Sequence, residues 1–312
     1  RRQRQMCIRD SIMTDRLVTN AKELTNKEYF YGHRACAGCG GSLALRLAMK
    51  VLGPRTFVAI PANCMAAVSF LYPQISFTTN SMITPFPATA AVLSGIEAGA
   101  RALGLKDYNV VGFAGDGGTA DIGIQALSGS IDRGDRVIYV CYDNEAYMNT
   151  GIQKSGLTPF GSKTTTTPAG SNIPGSVGRK KDMFEIVAAH GVEYAATASI
   201  GYPEDFLKKI SKAAMCKSTS YVHVLAPCST GWGFPVEKTV EMGKEAVDCG
   251  LWYLAEFENE KFFLNRKPKE FSPVEEYLKK QARFRHLKEK EIDHIKYGRD
   301  KKWEKILENW KI

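Results

Sequence analysis

Residues 111–124 read VGFAGDGGTADIGI, a glycine turn that carries an aspartate, Asp116, in its middle. A glycine turn leading from a strand into a helix suits phosphate, because helix N–H groups and the positive end of the helix dipole point at the ligand. A carboxylate there repels phosphate unless a divalent cation lies between them. Mg²⁺ turns the repulsion into a bridge: it takes oxygens in octahedral geometry and is commonly shared between one or two protein oxygens and phosphate oxygens. The next strand-like run, RVIYVCYDNEAYMNTG, contains Asn144, 28 residues after Asp116, whose amide oxygen adds a ligand without adding charge. That interval accommodates one helix and one strand, and a right-handed crossover sets the two strand ends side by side.

A GDG turn followed by an asparagine at this distance is a thiamine diphosphate signature. Two other readings compete with it. Gly115-x-Gly117-x-x-Ala120 also fits the dinucleotide fingerprint, with Asp143 as a ribose acceptor. Asp116 could also serve only as the N-cap of a helix.

The chain has eight cysteines and no apolar secretion signal, which argues for thiols or metal ligands rather than a disulfide framework. Cys36 and Cys39 in CAGCGGS, Cys64 in PANCMAA and Cys228 in LAPCSTGW are flanked by Gly, Pro, Ala or Asn, at element boundaries where backbone can wrap an inorganic group. Cys141 lies inside a strand-like run and Cys216 and Cys249 in helix-like ones, so these read as small buried hydrophobes. Cys7 belongs to the N-terminal tail. A thioredoxin-type pair would need no third or fourth cysteine, whereas four thiolates hold zinc or a [4Fe–4S] cluster equally well, and spacing does not choose. Beside a thiamine site, which generates an electron-rich carbon, a one-electron acceptor makes chemical sense and zinc does not.

The elements that must position these groups alternate between about residues 40 and 260. Strands are expected at 56–60, 109–114, 136–142, 192–197 and 221–226, and helices at 42–53, 87–104, 122–134, 182–191 and 204–216. This is an α/β pattern: an open, mainly parallel sheet with helices on both faces. The stretch 154–181, rich in Gly, Ser, Thr and Pro, reads as a functional lid or a flexible excursion, and its Thr164–Thr167 run fits phosphate or CoA contacts or a plain surface loop equally well. His33 and His190 are expected to be structural. Three segments follow: 1–12 as a tail that is not native, with Met13 as an ordinary start; 13–265 as the α/β domain; and 266–312 as a basic helical extension for subunit contacts. Tyr277, Phe284, Leu287, Ile292, Trp303, Ile306 and Trp310 give that extension an apolar side, which favours a helix covering a partner subunit over nucleic-acid binding. Arg1, Arg2, Arg4 and Arg9 less Asp10 supply +3 of the formal charge of +9. No apolar run reaches the roughly 18 residues of a membrane span, and a cytoplasmic location is expected.

CAGCGG, the run from GDGGTADIGIQAL to SKTTTTPAG, HGVEYAATASIGYPEDF, VLAPCSTGWGF and PVEEYLKKQARFRHL together closely resemble the beta subunits of multi-subunit pyruvate:ferredoxin oxidoreductases, or pyruvate synthases. The resemblance spans 27–290 and is most specific over 115–170. It implies a thiamine diphosphate-binding fold. It also implies one [4Fe–4S] cluster on Cys36, Cys39, Cys64 and Cys228, and Mg²⁺ on Asp116, the Asn144 side chain and the Ala146 carbonyl. Gly115, Gly117 and Gly118 would lie along the diphosphate, Gly41 and Cys64 near the coenzyme, and Asn149 beside the thiazolium as the catalytic residue. The reaction implied is CoA-dependent oxidative decarboxylation of pyruvate, or its reverse, with alpha, gamma and delta-type subunits as partners and ferredoxin as electron acceptor. The glutamate that activates the coenzyme would belong to the alpha subunit, leaving this chain inactive alone. One stretch departs from the family pattern: Pro87 and Ala88 stand where Glu and Asn are usual, which makes oxalate or a branched 2-oxoacid the nearest alternative substrates. A non-oxidative thiamine enzyme would leave the four boundary cysteines idle.

Overall fold

The computed structural model describes residues 17–310. The expected tail at 1–12, Cys7 and Met13 lie outside the described residues. In chain order the elements are α1 (Gly40–Leu52), β1 (Thr56–Pro61), α2 (Cys64–Ser69), β2 (Asn80–Thr84), α3 (Thr89–Ala102), β3 (Asn109–Gly115), α4 (Asp116–Ala120) and α5 (Ile124–Asp132). Then follow β4 (Ile138–Asp143), α6 (Met183–Ala189), β5 (Tyr194–Ser199), α7 (Pro203–Met215), β6 (Ser220–Leu225), α8 (Ser229–Trp232) and α9 (Thr239–Asp248). The chain finishes with β7 (Ala255–Glu258), β8 (Lys261–Leu264), α10 (Val274–Lys279) and α11 (Glu289–Asn309). The strands form one eight-stranded sheet in the order β2-β1-β3-β4-β6-β5-β7-β8. All neighbours are parallel as far as β5, and β7 and β8 add an antiparallel edge.

Every residue of β3, β4, β5 and β6 is buried, because helices cover both faces of a parallel sheet. Alternation along each strand divides the side chains between two cores. Val111, Phe113, Ile138 and Val140 pack under α1 and α7 with Leu45, Met49, Phe206 and Ile210. Val110, Tyr139 and Cys141 face the opposite way, toward Leu93 of α3, Leu127 of α5 and Phe184 of α6. Helix α7 shows the local logic: Pro203 at its start, Glu204 and Asp205 in its first turn, Lys212 in its last, and Phe206, Leu207, Ile210 and Ala213 on the buried side.

The expected strands and helices between 56 and 226 are present with shifted ends, and four differences are instructive. Strand β2 carries no apolar alternation because it is the exposed edge. The helix expected over 122–134 is present as α5, and a separate short helix, α4, precedes it across a break where Gly123 packs so closely on Gly118 that a Cβ would sit 2.1 Å from its carbonyl oxygen. The β7–β8 hairpin turns through Asn259 and Glu260, both with positive φ, the backbone sense a two-residue hairpin needs. The apolar side of the C-terminal extension is turned inward: Tyr277, Phe284, Trp303, Ile306 and Trp310 are buried against this chain's own core, and Leu287 and Ile292 are half-buried. Trp310 stacks on Phe262 at 5.0 Å and meets Phe184 and Tyr253 edge-on, contacts that add to the burial of a large apolar surface. No helix among the described residues is long and apolar enough to cross a membrane.

Candidate functional site

Four neighbouring strands, β1, β3, β4 and β6, end on the same side of the sheet, and the chain leaving each end carries Cys64, Asp116, Asn144 and Cys228 respectively. That is the edge where ligands of open α/β sheets bind. Asp116 is the first residue of α4; Gly115 is its N-cap and no side chain caps the helix, so Asp116 is not spent as a cap. Its carboxylate is buried and accepts a short hydrogen bond from the Ser155 hydroxyl. Burial, reinforced by the nearby Asp143 charge, raises its pKa well above the usual carboxylate range, against the pull of the Ser155 bond.

The end of the Asn144 amide lies 3.0 Å from Asp116 Oδ1 and 2.9 Å from the Ala146 carbonyl oxygen. With its NH₂ turned inward the amide donates to both and ties the pocket together. With its oxygen turned inward, it faces the Asp116 and Ala146 oxygens across two separations that match the edge of an octahedron of ~2.1 Å metal–oxygen bonds, roughly 3.0 Å. One carboxylate, one amide and one carbonyl form a hard, singly charged donor set that fits Mg²⁺. The backbone beside it is bare: a Cβ on Gly117 would meet the Tyr147 ring at 2.3 Å, and one on Gly118 the Phe86 ring at 3.2 Å. The Tyr147 hydroxyl donates to Asp121 Oδ2 at 2.8 Å and lies 3.3 Å from the Gly117 carbonyl. Asp121 also accepts from the Gly156 N–H and from Lys181, so the long loop is pinned to the glycine turn.

The cysteines gather alongside. Cys39 and Cys228 form an isolated antiparallel bridge, and Gly40 N donates to the Pro227 carbonyl. A Cβ on Gly40 would lie 2.6 Å from that oxygen, so glycine is what allows the two cysteine loops to touch. Cys39 and Cys228 are N-caps, their Sγ atoms accepting from Ser42 N and Gly231 N, and Cys64 opens α2 behind the Asn63 cap. Helix N-termini favour thiolate charge. In the free protein, burial and the surrounding Cys228, Cys39 and Cys36 push the Cys64 thiol up to about 12, and burial raises Cys228. Cys36 is exposed, whereas Cys141 and Cys249 are buried in the cores and Cys216 is half-buried, away from this group. Among the described residues no three or more His, Cys, Asp or Glu side chains are close enough to hold one metal ion. A single zinc needs all its donors within reach of one ion, whereas a cubane cluster spreads four thiolates over four irons. Four thiolates brought together on adjoining loops are the donor chemistry such a cluster takes.

Between the two groups stands Tyr142, buried, with Gly41 and Gly115 both bare against it; Cβ atoms there would lie 3.3 and 3.5 Å from it. Asn149 is exposed on the same loop as Asn144. Pro87 is exposed and Ala88 caps α3, and Phe86 next to them reaches the glycine turn. Asp143 is no ribose acceptor: it is buried and paired with Lys180 at 2.8 Å and His223 at 3.1 Å. Burial works to raise it, but Lys180 and His223 outweigh that and hold it at about 2. Glu145, with a positive φ of 66°, pairs with Lys180 and with Arg283, each at 2.6 Å. This ionic group backs the loop carrying Asn144 and Ala146. The threonine run bonds within its own loop, Thr164 to Thr167 at 2.7 Å and Thr165 to the Gly151 carbonyl at 2.9 Å. Sequence reasoning missed Ser155, Tyr147, Tyr142, Lys180 and Arg283; the only trace was the basic run RKK at the end of a loop, 154–181, that has no acidic residue.

Residues 62–224 match the family model described as thiamine pyrophosphate enzyme, C-terminal TPP binding domain. The chain is 52% identical over 264 residues to "Pyruvate synthase subunit PorB" of Methanothermobacter thermautotrophicus, covering 85% of this chain and 92% of that one. It is 46% identical over 291 residues to "Ketoisovalerate oxidoreductase subunit VorB" of Pyrococcus horikoshii, covering 91% of each. Its fold resembles that of the 2-oxoglutarate:ferredoxin oxidoreductase from Magnetococcus marinus, with a TM-score of 0.57 at 22% identity over 67% of this chain and 70% of that one.

Proposed function

Because the chain belongs to the family of 2-oxoacid:ferredoxin oxidoreductase beta subunits that includes PorB and VorB, we propose that it carries the thiamine diphosphate, Mg²⁺ and [4Fe–4S] half of a CoA-dependent pyruvate:ferredoxin oxidoreductase. The observation that carries this is the juxtaposition, at four adjacent strand ends, of the Asp116–Asn144–Ala146 oxygens with four cysteines. When bound, the coenzyme supplies the carbon nucleophile for a 2-oxo group and the cluster supplies one-electron steps. The chain's own residues do the holding. Asp116, the Asn144 amide oxygen and the Ala146 carbonyl hold the cation, and bare Gly115, Gly117 and Gly118 admit the diphosphate. Cys36, Cys39, Cys64 and Cys228 hold the cluster. Tyr142 keeps the two groups apart and dry, and Asn149 faces outward where substrate and partner subunits meet the coenzyme.

Pyruvate is the substrate in this reading, with ferredoxin as the acceptor. The similarity to VorB and the Pro87–Ala88 departure beside the glycine turn favour a branched 2-oxoacid as the second reading. Anaerobic purification with the co-purifying subunits tests both. Four irons and four sulfides per chain, and CoA-dependent reduction of a low-potential acceptor with pyruvate preferred over 3-methyl-2-oxobutanoate, are expected. Stoichiometric zinc without iron would overturn the cluster assignment, and the reverse substrate preference would select the second reading.

A further inference from the structure

Behind the loop that carries Asn144 and Ala146 lies a second cavity, of about 570 Å³, between α11, the 177–182 segment and the body of the domain. Its volume falls in the range of small-molecule sites. Eight lysine and arginine side chains line it against three carboxylates. Those carboxylates are already engaged: Glu145 with Lys180 and Arg283, Asp182 with Lys302, and Glu185 with Lys305. Two guanidinium groups retain unused donors. Arg179, exposed at the mouth, has no hydrogen bond or ion pair among the described residues. Arg283 is 5% exposed, is fixed by Glu145 and Gln281 and stacks 3.9 Å over Trp232, yet its Nη1 is buried without a partner. A buried unpaired N–H is rare enough to need a cause.

The deep part of the cavity is lined by buried rings, Trp252, Tyr253, Tyr277 and Phe284 among them, beside His223, whose Nδ1 makes no hydrogen bond among the described residues. With Nε2 turned to Asp143, that nitrogen is an acceptor in the neutral ring. Flat rings beside one unused acceptor, His223 Nδ1, suit a nitrogen heterocycle that carries an N–H donor, and cations at the mouth suit phosphate. We propose that this cavity binds a nucleoside polyphosphate, its base among the rings and its phosphates at Arg179 and at Lys301, which exchanges its exposed pairing with Glu304 for them. The same chemistry is offered by a free nucleotide and by the nucleotide half of coenzyme A. Glu145 belongs both to the cavity wall and to the loop between Asn144 and Ala146, so an occupant bears directly on the cation-binding loop.

The test is calorimetric titration of the full chain, purified with its co-purifying subunits, with ADP, CoA, pyrophosphate or adenosine in Mg²⁺, first without and then with excess thiamine diphosphate. ADP or CoA is expected to bind once per chain, and pyrophosphate and adenosine alone each at least roughly tenfold more weakly. The double variant Arg179→Ala, Lys301→Ala, both solvent-side changes, is expected to weaken that binding roughly tenfold with an unchanged unfolding midpoint. Tighter binding of CoA than of ADP names coenzyme A as the source, and the reverse names a free nucleotide. The proposal is overturned by no binding of either at about 1 mM, by affinity unchanged in the double variant, by pyrophosphate binding as tightly as ADP, or by loss of binding when thiamine diphosphate is added.

Discussion

Replacing Asn144 by Asp tests the oxygen triangle most directly, since it keeps the shape of the side chain and changes only its charge. The amide end is 3.0 Å from Asp116 Oδ1, and two carboxylates at that separation repel by about 5.5 kcal/mol at an effective dielectric of ~20. Proton uptake limits the penalty, because protonating an ordinary carboxylate at pH 7 costs about 4 kcal/mol. The variant also loses the NH₂ that can donate to Asp116 and Ala146. Without a divalent ion, Asn144→Asp is therefore expected to be less stable by up to about 4 kcal/mol, and by less to the extent that burial already raises Asp116 toward its protonated form. Mg²⁺ reverses the sign of the effect, because the second carboxylate becomes a second anionic ligand. The assay is urea unfolding with and without millimolar Mg²⁺, with Na⁺ at matched ionic strength as the control. Recovery of most of the lost stability in Mg²⁺ alone, and a larger Mg²⁺ response than in the native chain, is expected. Equal responses of the two proteins to Mg²⁺ would refute the assignment of these oxygens to a cation, whatever the activity.

Three further outcomes follow from the same geometry. Gly117→Ala drives a methyl into the Tyr147 ring at 2.3 Å and is expected to cost about 1–3 kcal/mol and to weaken thiamine diphosphate binding; Gly95→Ala, in open space on α3, should instead gain roughly 0.5 kcal/mol, and denaturant titration separates them. Cys228→Ser is expected to lose iron on anaerobic purification whereas Cys141→Ser keeps it, and equal iron contents would undo the ligand set. For Asp182, burial raises the carboxyl but Lys302 and the Tyr253 hydroxyl hold it at about 2, so its pKa is depressed by folding. That contribution, on the order of 2 kcal/mol, is present above pH ~4 and lost as pH falls through ~2. Lys302→Met should shift acid unfolding to higher pH, and an unmoved acid limb would show the pair to be inert.

The central strands were legible because burial on both faces leaves long apolar runs such as NVVGFA and RVIYVCY. β2 and the β7–β8 hairpin were not, since edge strands have one solvated side and mixed composition. Asp116 and Asn144 could be paired because a strand, a helix and a crossover impose a fixed interval. Ser155 reaches Asp116 from 39 residues away and Arg283 reaches Glu145 from 138 away, through loops whose contacts have no period to read. The C-terminal aromatic side was visible, but an amphipathic pattern states only that a face is covered; Trp303, Ile306 and Trp310 are covered by the sheet's own edge.

The placement of burial around the site separates what must be invariant from what can differ among relatives acting on different 2-oxoacids. Asp116, Asn144 and Ala146 are buried and braced from behind by Ser155 and by the Asp143, Lys180, Glu145 and Arg283 group, so a turn of the Asn144 amide suffices to present oxygens to a cation. Asn149 and Pro87 lie in the open, outside that braced loop. Phe86 joins the two regions: it touches the position above Gly118 and lies 6.0 Å from the Tyr147 ring, at the head of the Pro87–Ala88 departure. Substrate discrimination placed there can change with one or two residues while the diphosphate end stays fixed. This is the physical sense in which one scaffold can resemble both PorB and VorB.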